Sequence, residues 1–436
     1  MRKEISEINI FWFRRDLRLE DNSGLFHALK GNLPVLSVFI FDTNILDTLT
    51  DHSDARVTFI YQEIKKIRKK LTDLGADILI EIGKPVNIWK SLTENWNIKN
   101  VYINRDYEPY ALERDEQVKQ ILREKGISFH SFKDQVIFEC DDILKDDGNP
   151  YSIYTPYKNK WLDLLSNVHL TEYDTGNHAP NFFKINDLSF PRLEEIGFKE
   201  SKMSFPSRAF ETAIIQNYHK TRDFPGTRGT SRLGLHLRFG TISTRYLVKQ
   251  AKVLNATFLS ELIWREFFMM ILYHHPRVVK ESFKLKYQGI QWINNKDHFQ
   301  RWCEGETGYP MVDAGMRELN ETGYIHNRVR MISASFLTKH LLIDWRWGEK
   351  YFAEKLLDFE LSSNNGNWQW AAGCGCDAAP YFRIFNPTTQ IKKFDPLLRY
   401  IEKWVPEYKT SSYPKPLVAH KFARERALDI YAKAVK

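Results

Sequence analysis

The sequence predicts an α/β amino-terminal domain built on a parallel sheet, followed by an all-α domain. Between residues 8 and 132, short apolar runs typical of strands alternate with segments of helical period. After residue 205 the strand-like runs stop and helical period continues to the end. A chain of 436 residues exceeds the size at which single hydrophobic cores stop growing, so two domains are expected.

The first domain is placed at residues 1–132. Its five predicted strands are INIFWFR, LPVLSVFIFD, ADILIEIG, NVYINRDY and SFHSF. The clearest helix should begin after Ser53, a good N-cap residue, and cover the sheet with one apolar stripe. The stripe is formed by Ile60, Ile64, Ile67, Leu71 and Leu74.

The charged segment RRDLRLEDN follows the first strand, where a Rossmann dinucleotide site would carry G-x-G-x-x-G. The chain also lacks the P-loop pattern G-x-x-x-x-G-K-[ST]. The sheet is therefore Rossmann-like in its alternation, while a standard dinucleotide or nucleoside triphosphate site is not expected.

Residues 133–200 are predicted to be a connector with few elements of its own, because periodicity fades and turn formers such as DDGNP and NHAPNFF appear. Residues 201–436 form the predicted helical domain. Near its start, Thr230 and Ser231 precede a predicted helix whose free N–H groups could hold a pyrophosphate, with Arg232 adding positive charge.

Two further helices carry polar residues in unusual places. In ATFLSELIWREFFMMILYHH, which is apolar nearly all round, Glu261 shares a face with Trp264 and Phe268. A buried carboxylate is costly, so Glu261 must have strong partners or line a cavity. In NRVRMISASFLTKHLLIDWR, Asn327 and Met331 are four residues apart and share a helix face.

The stretch DFELSSNNGNWQWAAGCGCDAAPYFRIFNP is predicted to be a ligand-binding loop. Its asparagines, Asn364, Asn365 and Asn367, are poor helix-interior residues but good hydrogen-bond partners for a ring edge. Gly366, Gly373 and Gly375 would let the backbone approach a bound molecule.

Charge is unevenly distributed along the chain. Residues 201–436 contain 36 Lys and Arg against 22 Asp and Glu, a net +14, whereas the whole chain is +8. Such a basic region indicates a phosphate-backbone partner, although uneven charge can also serve solubility alone.

Other features narrow the class of protein. The start MRKEISEINIFWFRRD fits neither a signal peptide nor a membrane span, so a cytoplasmic protein is expected. The cysteines should be reduced thiols, because Cys140, Cys303, Cys374 and Cys376 form neither a disulfide framework nor a zinc pattern. No metal site is expected.

Together, NNGNWQWAA, DAAPYFRIFNP, ELIWRE, TGYPMVDAGMREL and YHKTRDFPGTRGTSRLG resemble class I cyclobutane pyrimidine dimer photolyases of the photolyase/cryptochrome family. YSIYTPYKNKW is similar to that family's interdomain segment. The resemblance spans essentially the whole chain. It implies light-driven repair of UV-damaged DNA by a monomer in which reduced FAD, excited by blue light, gives an electron to a flipped-out dimer. The helical domain would then be the FAD-binding domain.

The resemblance also assigns roles to particular residues. Glu261, Asn327 and Met331 would act on the dimer, with Trp292, Trp345 and Trp368 as an electron relay. Cofactor contacts would be Tyr218, Thr230, Ser231, Arg232, Leu233, Gly234, Phe258, Glu261, Arg265, Tyr324, Asn327, Arg330, Asp358, Glu360 and Asn364. DNA contacts would be Arg222, Glu261, Trp264, Arg265, Asn327, Arg328, Met331 and Trp370.

WFRRDLRLEDN and NRDYEPYALERD resemble the family's antenna domain, which implies a second chromophore near the domain interface. A folate such as methenyltetrahydrofolate is the expected antenna, with a deazaflavin as the alternative. Glu360, Phe258 and Tyr324 depart from bacterial family members, which carry Asp, Trp and Trp there, and could alter the fit of the flavin.

Two other functions stay open at this point. A blue-light receptor of cryptochrome type would share the fold and FAD, but the Glu261, Trp264, Asn327 and Met331 set argues for repair. So does the absence of a tail beyond the basic segment AHKFARERALDIYAKAVK. A non-photochemical flavin oxidoreductase is disfavoured because no identifiable motif pairs a catalytic His or Cys with a hydride-acceptor pocket.

Overall fold

The computed structural model describes residues 6–435 and divides the chain into two compact units. The first unit comprises Met1–Glu139, Val168–Arg208 and Leu233–Gln250, and the second comprises Cys140–Asn167, Ala209–Arg232 and Ala251–Lys436. Each unit is thus assembled from separate stretches of chain. The first five residues of the amino-terminal stretch lie outside the described residues.

The first unit contains the predicted five-stranded parallel sheet, in the order β3-β2-β1-β4-β5. The strands are β1 Ile8–Phe13, β2 Val35–Asp42, β3 Ile78–Gly83, β4 Ile98–Asn104 and β5 Ser128–Phe132. The central strand β1 and its neighbour β2 are buried along their whole length, as expected of a parallel sheet covered on both faces. The prediction of all five strands is confirmed.

The helices alternate with these strands and then continue alone. In chain order they are α1 Ser23–Leu29, α2 Thr43–Leu46, α3 Ala55–Thr72, α4 Pro85–Asn95, α5 Pro109–Glu124, α6 Tyr154–Ser166, α7 Thr212–Gln216, α8 Tyr218–Thr221, α9 Gly234–Arg238, α10 Thr244–Leu254, α11 Ala256–His274, α12 Lys296–Glu304, α13 Pro310–Thr322, α14 Asn327–Ser335, α15 Trp345–Lys355, α16 Leu361–Ala372, α17 Pro387–Phe394, α18 Arg399–Trp404 and α19 His420–Val435. Between residues 205 and 435 the described chain contains no strand, which confirms the all-α prediction.

Helix α3 differs in detail from the prediction. Its N-cap is Asp54, whose carboxylate accepts from the Arg56 N–H, so Ser53 lies one residue before the N-cap. Ile64, Ile67 and Leu71 are buried as predicted. Leu74 lies beyond the end of the helix and is 41% exposed, because the chain has already turned away from the sheet.

The predicted connector contains α6, which the fading periodicity of residues 133–200 did not reveal. Its aromatic residues Tyr154, Tyr157 and Trp161 are buried in the second unit. The boundaries 1–132, 133–200 and 201–436 stay a prediction.

The predicted ligand-binding loop is wrong in its backbone conformation, because Asn364, Asn365 and Asn367 lie inside helix α16. The helix propensity that asparagine lacks is offset by tertiary hydrogen bonds. Asn365 donates to the Val278 carbonyl, and Asn364 donates to the Glu349 carbonyl, each at 3.0 Å. Tertiary contacts therefore override a local preference in this helix.

The glycines of this stretch pack and end the helix. A Cβ on Gly366 would lie 2.2 Å from the Phe268 ring, so Gly366 allows α16 to approach α11 closely. Gly373, at φ 89°, ends the helix in the left-handed conformation that favours glycine. A Cβ on Gly375 would lie 2.9 Å from the Gln369 backbone. An approach of these glycines to a bound molecule stays a prediction.

Candidate active site

Two neighbouring cavities in the second unit collect most of the predicted site residues. The first, here called the inner cavity, measures about 530 Å³ including the space open to solvent. It is lined by Asn327, Arg330, Met331, Ala334, Phe352, Leu356, Asp358, Glu360, Ser363, Asn364, Asn367, Trp368 and Ala371.

The second, here called the outer cavity, measures about 800 Å³ including the space open to solvent. It is lined by Arg222, Glu261, Trp264, Arg265, Phe268, Asn327, Met331, Ser363, Asn367 and Trp370. Asn327, Met331, Ser363 and Asn367 line both cavities, so a molecule in one would lie beside a molecule in the other.

Asn327 and Met331 occupy the first two turns of α14. The Asn327 Nδ2 lies 3.9 Å from the Met331 sulfur, which confirms that the two side chains share a face. An amide and a thioether offer hydrogen bonding and soft packing but no group that exchanges protons near neutral pH.

Glu261 faces the outer cavity in an ion pair with Arg222. The Arg222 Nη1 lies 2.5 Å from the Glu261 Oε1, and both side chains are about one-quarter to one-third exposed. Burial raises the pKa of Glu261, and the charge and hydrogen bond of Arg222 only partly oppose this. Glu261 therefore holds a proton more tightly than an ordinary glutamate does, while Arg222 stabilises its charged form.

Trp264 owes its orientation to a residue that sequence reasoning missed. The Tyr154 ring stacks on the indole at 3.6 Å with an interplanar angle of 8°, and the Tyr154 hydroxyl donates to the Ser260 carbonyl at 2.7 Å. The YSIYTPYKNKW segment could have suggested a contact with the helical unit, but not this ring pair. Tyr154 fixes the plane of Trp264.

Ion pairs also line the inner cavity. Arg330 pairs with Asp358 at 2.9 Å, and its Nε donates to the Ile325 carbonyl. Arg265 pairs with Glu360 at 3.3 Å, and the Arg265 side chain is only 10% exposed. Because Arg265 is buried against a carboxylate, it is better placed to fix Glu360 in the wall of the inner cavity than to contact a DNA phosphate.

Asn364 reaches a second missed residue, Glu349 on α15. The Asn364 Nδ2 donates to both the Glu349 carbonyl and the Glu349 Oε1, each at 3.0 Å. Burial raises the pKa of Glu349 to about 6. Since Asn364 lines the inner cavity, its amide connects that cavity to a carboxyl that titrates near neutrality.

Only some residues of the predicted pyrophosphate-binding segment, which begins at Thr230, lie close to one another in the structure. The Thr230 hydroxyl lies 3.1 Å from the Tyr324 hydroxyl, and the Arg232 guanidinium lies over the Tyr324 ring at 4.5 Å. Ser231 lies between them in the chain, and Arg232 adopts φ 54°. A positive φ in a non-glycine residue marks local strain of the kind found at binding sites.

Three other predicted cofactor contacts do not belong to the group around Tyr324. Leu233 and Gly234 belong to the first unit, and the predicted helix, α9, has only five residues, which leaves a weak dipole. Phe258 is buried at the start of α11 and packs edge-on against the Tyr218 ring at 5.3 Å.

The tryptophans of the predicted relay belong to one hydrophobic core. Trp368 and Trp345 are buried, and Trp292 is half-buried at the edge of that core. Trp368 also lines the inner cavity. Within the core, the Trp368 ring lies beside Phe352 and Trp302, at centroid distances of 4.9 Å and 6.1 Å.

Arg328 lines neither cavity. It pairs with Asp223 at 2.6 Å and lies over the Phe394 ring at 4.3 Å. Its role in DNA binding stays a prediction, and Asp223 offsets part of its charge.

The first unit has a cavity of its own, of about 880 Å³ including its open mouth. It is lined by Trp12, Arg14, Arg15, Phe39, Ile40, Phe41, Asp42, Ile45, Leu46, Val57, Ile60, Asp106, Glu108, Tyr110, Ala111, Arg114, Arg238 and Phe239. Its arginines are already neutralised by carboxylates, for example Arg14 by Asp115 at 2.6 Å and Arg238 by Glu108 at 2.6 Å. The walls are otherwise aromatic and aliphatic.

Comparisons with known proteins place this architecture in a family. Residues 9–175 match the family model described as DNA photolyase, and residues 258–412 match the one described as the FAD binding domain of DNA photolyase. The deoxyribodipyrimidine photo-lyase of Halobacterium salinarum is 36% identical, covering 98% of this chain and 99% of that protein. The chain belongs to the DNA photolyase family.

Solved structures of photolyases agree with this assignment. A class III photolyase from Agrobacterium tumefaciens superimposes with a TM-score of 0.85 at 30% identity, over 100% of this chain and 99% of that one. An archaeal photolyase from Sulfolobus tokodaii, described with two FAD molecules, gives 0.83 at 33%, over 98% and 100%. The family resemblance predicted from the sequence is confirmed, and this photolyase contains an FAD-binding domain.

The residues of the inner cavity suit a flavin. The Arg330–Asp358 pair and the amides of Asn327, Asn364 and Asn367 supply polar groups on several walls. Because Asn364 uses its N–H donors on Glu349, its oxygen is left as the acceptor for a group in the cavity. A Cβ on Gly348 would lie 2.2 Å from the Trp368 ring, so glycine there allows the indole to pack behind the cavity.

Within residues 6–435, no group of three or more His, Cys, Asp or Glu residues could hold a metal ion. Within the same residues, no helix is long and apolar enough to cross a membrane.

Replacing Glu349 by glutamine should change how stability depends on pH. Burial raises the pKa of Glu349 from its ordinary 4.5 to about 6, so the folded protein holds this proton more tightly than the unfolded chain. The stabilisation is complete below pH 4.5 and is lost as the pH rises through 6. At neutral pH, Glu349→Gln should be more stable than the wild type by roughly 2 kcal/mol.

Chemical denaturation between pH 4.5 and 7.5 measures this difference. Glu354→Gln is the matched control, because Glu354 lies on the same helix with its side chain 46% exposed. A difference between Glu349→Gln and the wild type that stays constant over this pH range would contradict the assigned environment.

Proposed function

We propose that this photolyase repairs cyclobutane pyrimidine dimers in DNA, with FAD in the inner cavity and the dimer in the outer one. The observation that carries the proposal is the shared wall of Asn327, Met331, Ser363 and Asn367 between the two cavities. Reduced FAD excited by blue light supplies the one electron that splits the dimer. The protein supplies position, electrostatics and exclusion of water.

The outer cavity supports binding of a dimer outside the duplex. Photolyases are among the enzymes that take their target base out of the stack. Trp264 and Trp370 line this cavity, and stacking on such rings contributes roughly 1–3 kcal/mol per base. Tyr154 holds Trp264 in one plane, so less conformational entropy is lost when a base stacks.

Glu261 would act on the carbonyl groups of the dimer. A carboxylate repels the negative charge that an extra electron brings to those oxygens, whereas a protonated carboxyl donates a hydrogen bond to them. The raised pKa of Glu261 favours the protonated form once a substrate excludes water. Arg222 stays beside it as a fixed positive charge.

DNA contacts would come from the basic second half of the chain. The family resemblance implies Arg222, Arg265 and Arg328 as phosphate contacts. Phosphate contacts position DNA without reading its sequence. Because Arg265 and Arg328 are already in ion pairs, we expect other exposed Lys and Arg residues to share this role. We also propose that the protein acts as a monomer in the cytoplasm.

Lesion choice tests the function directly. Repair of a (6-4) photoproduct needs proton transfer, for which histidine is the suitable side chain, but the matching positions here are Asn327 and Met331. His326 is the N-cap of α14 and lines neither cavity, and burial lowers its pKa to about 4. We expect blue-light repair of cyclobutane dimers and none of (6-4) products.

Chromatography of both lesion oligonucleotides after illumination, with dark controls, measures this selectivity. Conversion of the (6-4) substrate at a rate comparable to the dimer would overturn the assignment of the cavity. Failure to repair the dimer under blue light would overturn the proposed function and favour a cryptochrome-type receptor.

The predicted electron relay gives a second test. Trp368 separates the inner cavity from the aromatic core, so an electron entering the cavity from that core should pass through it. Trp368→Phe should abolish most photoreduction of the oxidised flavin, followed by absorption under blue light. Wild-type kinetics in this variant would remove Trp368 from the relay.

The cavity of the first unit would hold the antenna chromophore. Its aromatic walls and neutralised arginines suit a planar ring system, and we propose a folate, with a deazaflavin as the alternative. Extraction of the purified protein and the absorption spectrum of the released chromophore decide between them. Phe41→Ala, which alters the lining of this cavity, should weaken uptake of the chromophore. Failure of the wild-type protein to take up either compound would contradict the proposal.

A further inference from the structure

A second line of aromatic rings leads from the inner cavity toward the surface. The Trp368 ring lies 6.1 Å from that of Trp302, and Trp302 lies 5.9 Å from Phe299. Phe299 in turn lies 5.2 Å from Trp347. These four rings form a continuous path that includes neither Trp345 nor Trp292.

The helices that carry these rings explain the continuity. Phe299 and Trp302 are three residues apart on α12, and Trp347 and Tyr351 are four apart on α15, so each pair shares a helix face. Trp302 is fully buried, with its Nε1–H donating to the Ser333 carbonyl at 3.2 Å. Trp347 is half-buried, so the path runs from a dry interior to the protein surface.

We propose that Trp302 and Trp347 form a second electron route to the flavin, parallel to the relay through Trp345 and Trp292. This inference rests on the proposed function, because it requires a flavin beside Trp368. The route would serve photoreduction of oxidised flavin, the step that prepares the enzyme for repair.

The electrons and protons balance along this route. Trp368 gives one electron toward the excited flavin, and Trp302 returns one electron to the Trp368 radical cation. Trp347 then gives one electron to the Trp302 radical cation, with Phe299 as the medium between the two indoles. The Trp347 radical cation loses its N–H proton to water, and a thiol in solution reduces the resulting neutral radical.

Burial determines which tryptophan of the path is the final site of the radical. The Trp302 N–H is bonded to a backbone carbonyl, which is too weak a base to take the proton, so Trp302 can only pass the charge on. Trp347 meets solvent, where water can accept the proton and trap the radical. The oxidised position therefore moves outward along the path, from Trp368 to Trp347, while the electrons move toward the flavin.

Tyr351 is the competing end point, since its ring lies 5.9 Å from Trp302. Its hydroxyl faces the Asn320 Oδ1 at 2.6 Å and the Cys303 carbonyl at 3.2 Å, and neither oxygen is a strong enough base to take up a phenolic proton. Burial also raises the pKa of Tyr351, which makes the proton harder to lose. Oxidation of tyrosine requires loss of that proton, so Trp347 is the favoured terminus.

The test measures photoreduction of the oxidised flavoprotein, with a thiol present, in Trp292→Phe, Trp347→Phe and the double variant. Two parallel routes predict that each single variant keeps part of the rate, whereas the double variant falls at least about tenfold below Trp292→Phe. Trp347→Tyr combined with Trp292→Phe should recover part of the loss, because an exposed tyrosine can release its proton to water. Trp96→Phe, a half-buried tryptophan of the first unit, is the matched control.

A second readout needs no variant. Peptide mass spectrometry of illuminated wild-type protein without thiol should find oxidation at Trp347 in excess of that at Trp96. A double variant equal to Trp292→Phe, or no excess oxidation at Trp347, would overturn the second route. Repair of a dimer by chemically prereduced wild-type protein reports separately on the proposed function, so the two ideas fail in different experiments.

Discussion

The hydrogen bonds that hold α16 between α11 and α15 determine the arrangement of the whole site. This helix has a sequence that would not persist alone, with three asparagines and a glycine in its interior. The Gln369 side chain donates to the Val278 and Glu281 carbonyls and accepts from the Phe283 N–H, while Asn365 donates to Val278. Because amides occupy these positions, the helix can be buried without leaving the loop around residue 280 unsatisfied.

The same helix supplies a wall to both cavities. Ser363 and Asn367, one turn apart, line both of them, while Asn364 and Trp368 face the inner cavity and Trp370 faces the outer one. Gly366 lies against the Phe268 ring, which fixes the distance between α16 and the helix that carries Glu261 and Trp264. A small change in the packing of this one helix would therefore alter both cavities together.

The sequence predicted the elements with strong local signals. The five strands, α11 and the shared faces of Glu261 with Trp264 and of Asn327 with Met331 follow from periodicity. It did not predict α16, because asparagine propensity points away from a helix and the compensating partners lie 15 to 91 residues away in the chain. Tyr154 and Glu349 were missed for the same reason, since their importance comes only from contacts distant in sequence.

The charged residues of the site show a common arrangement with a chemical consequence. Arg265 and Arg330 are each paired with a carboxylate, namely Glu360 and Asp358. Paired charges present fixed dipoles with little net charge, so the walls need not reorganise when a single electron crosses between the cavities. A site lined by unpaired arginines would bind phosphate more tightly. However, it would stabilise the transferred electron on the molecule nearer to those arginines and so oppose its transfer to the other molecule. Electron transfer and DNA affinity thus favour different surfaces, and we infer that the basic charge of residues 201–436 serves DNA mainly outside these cavities.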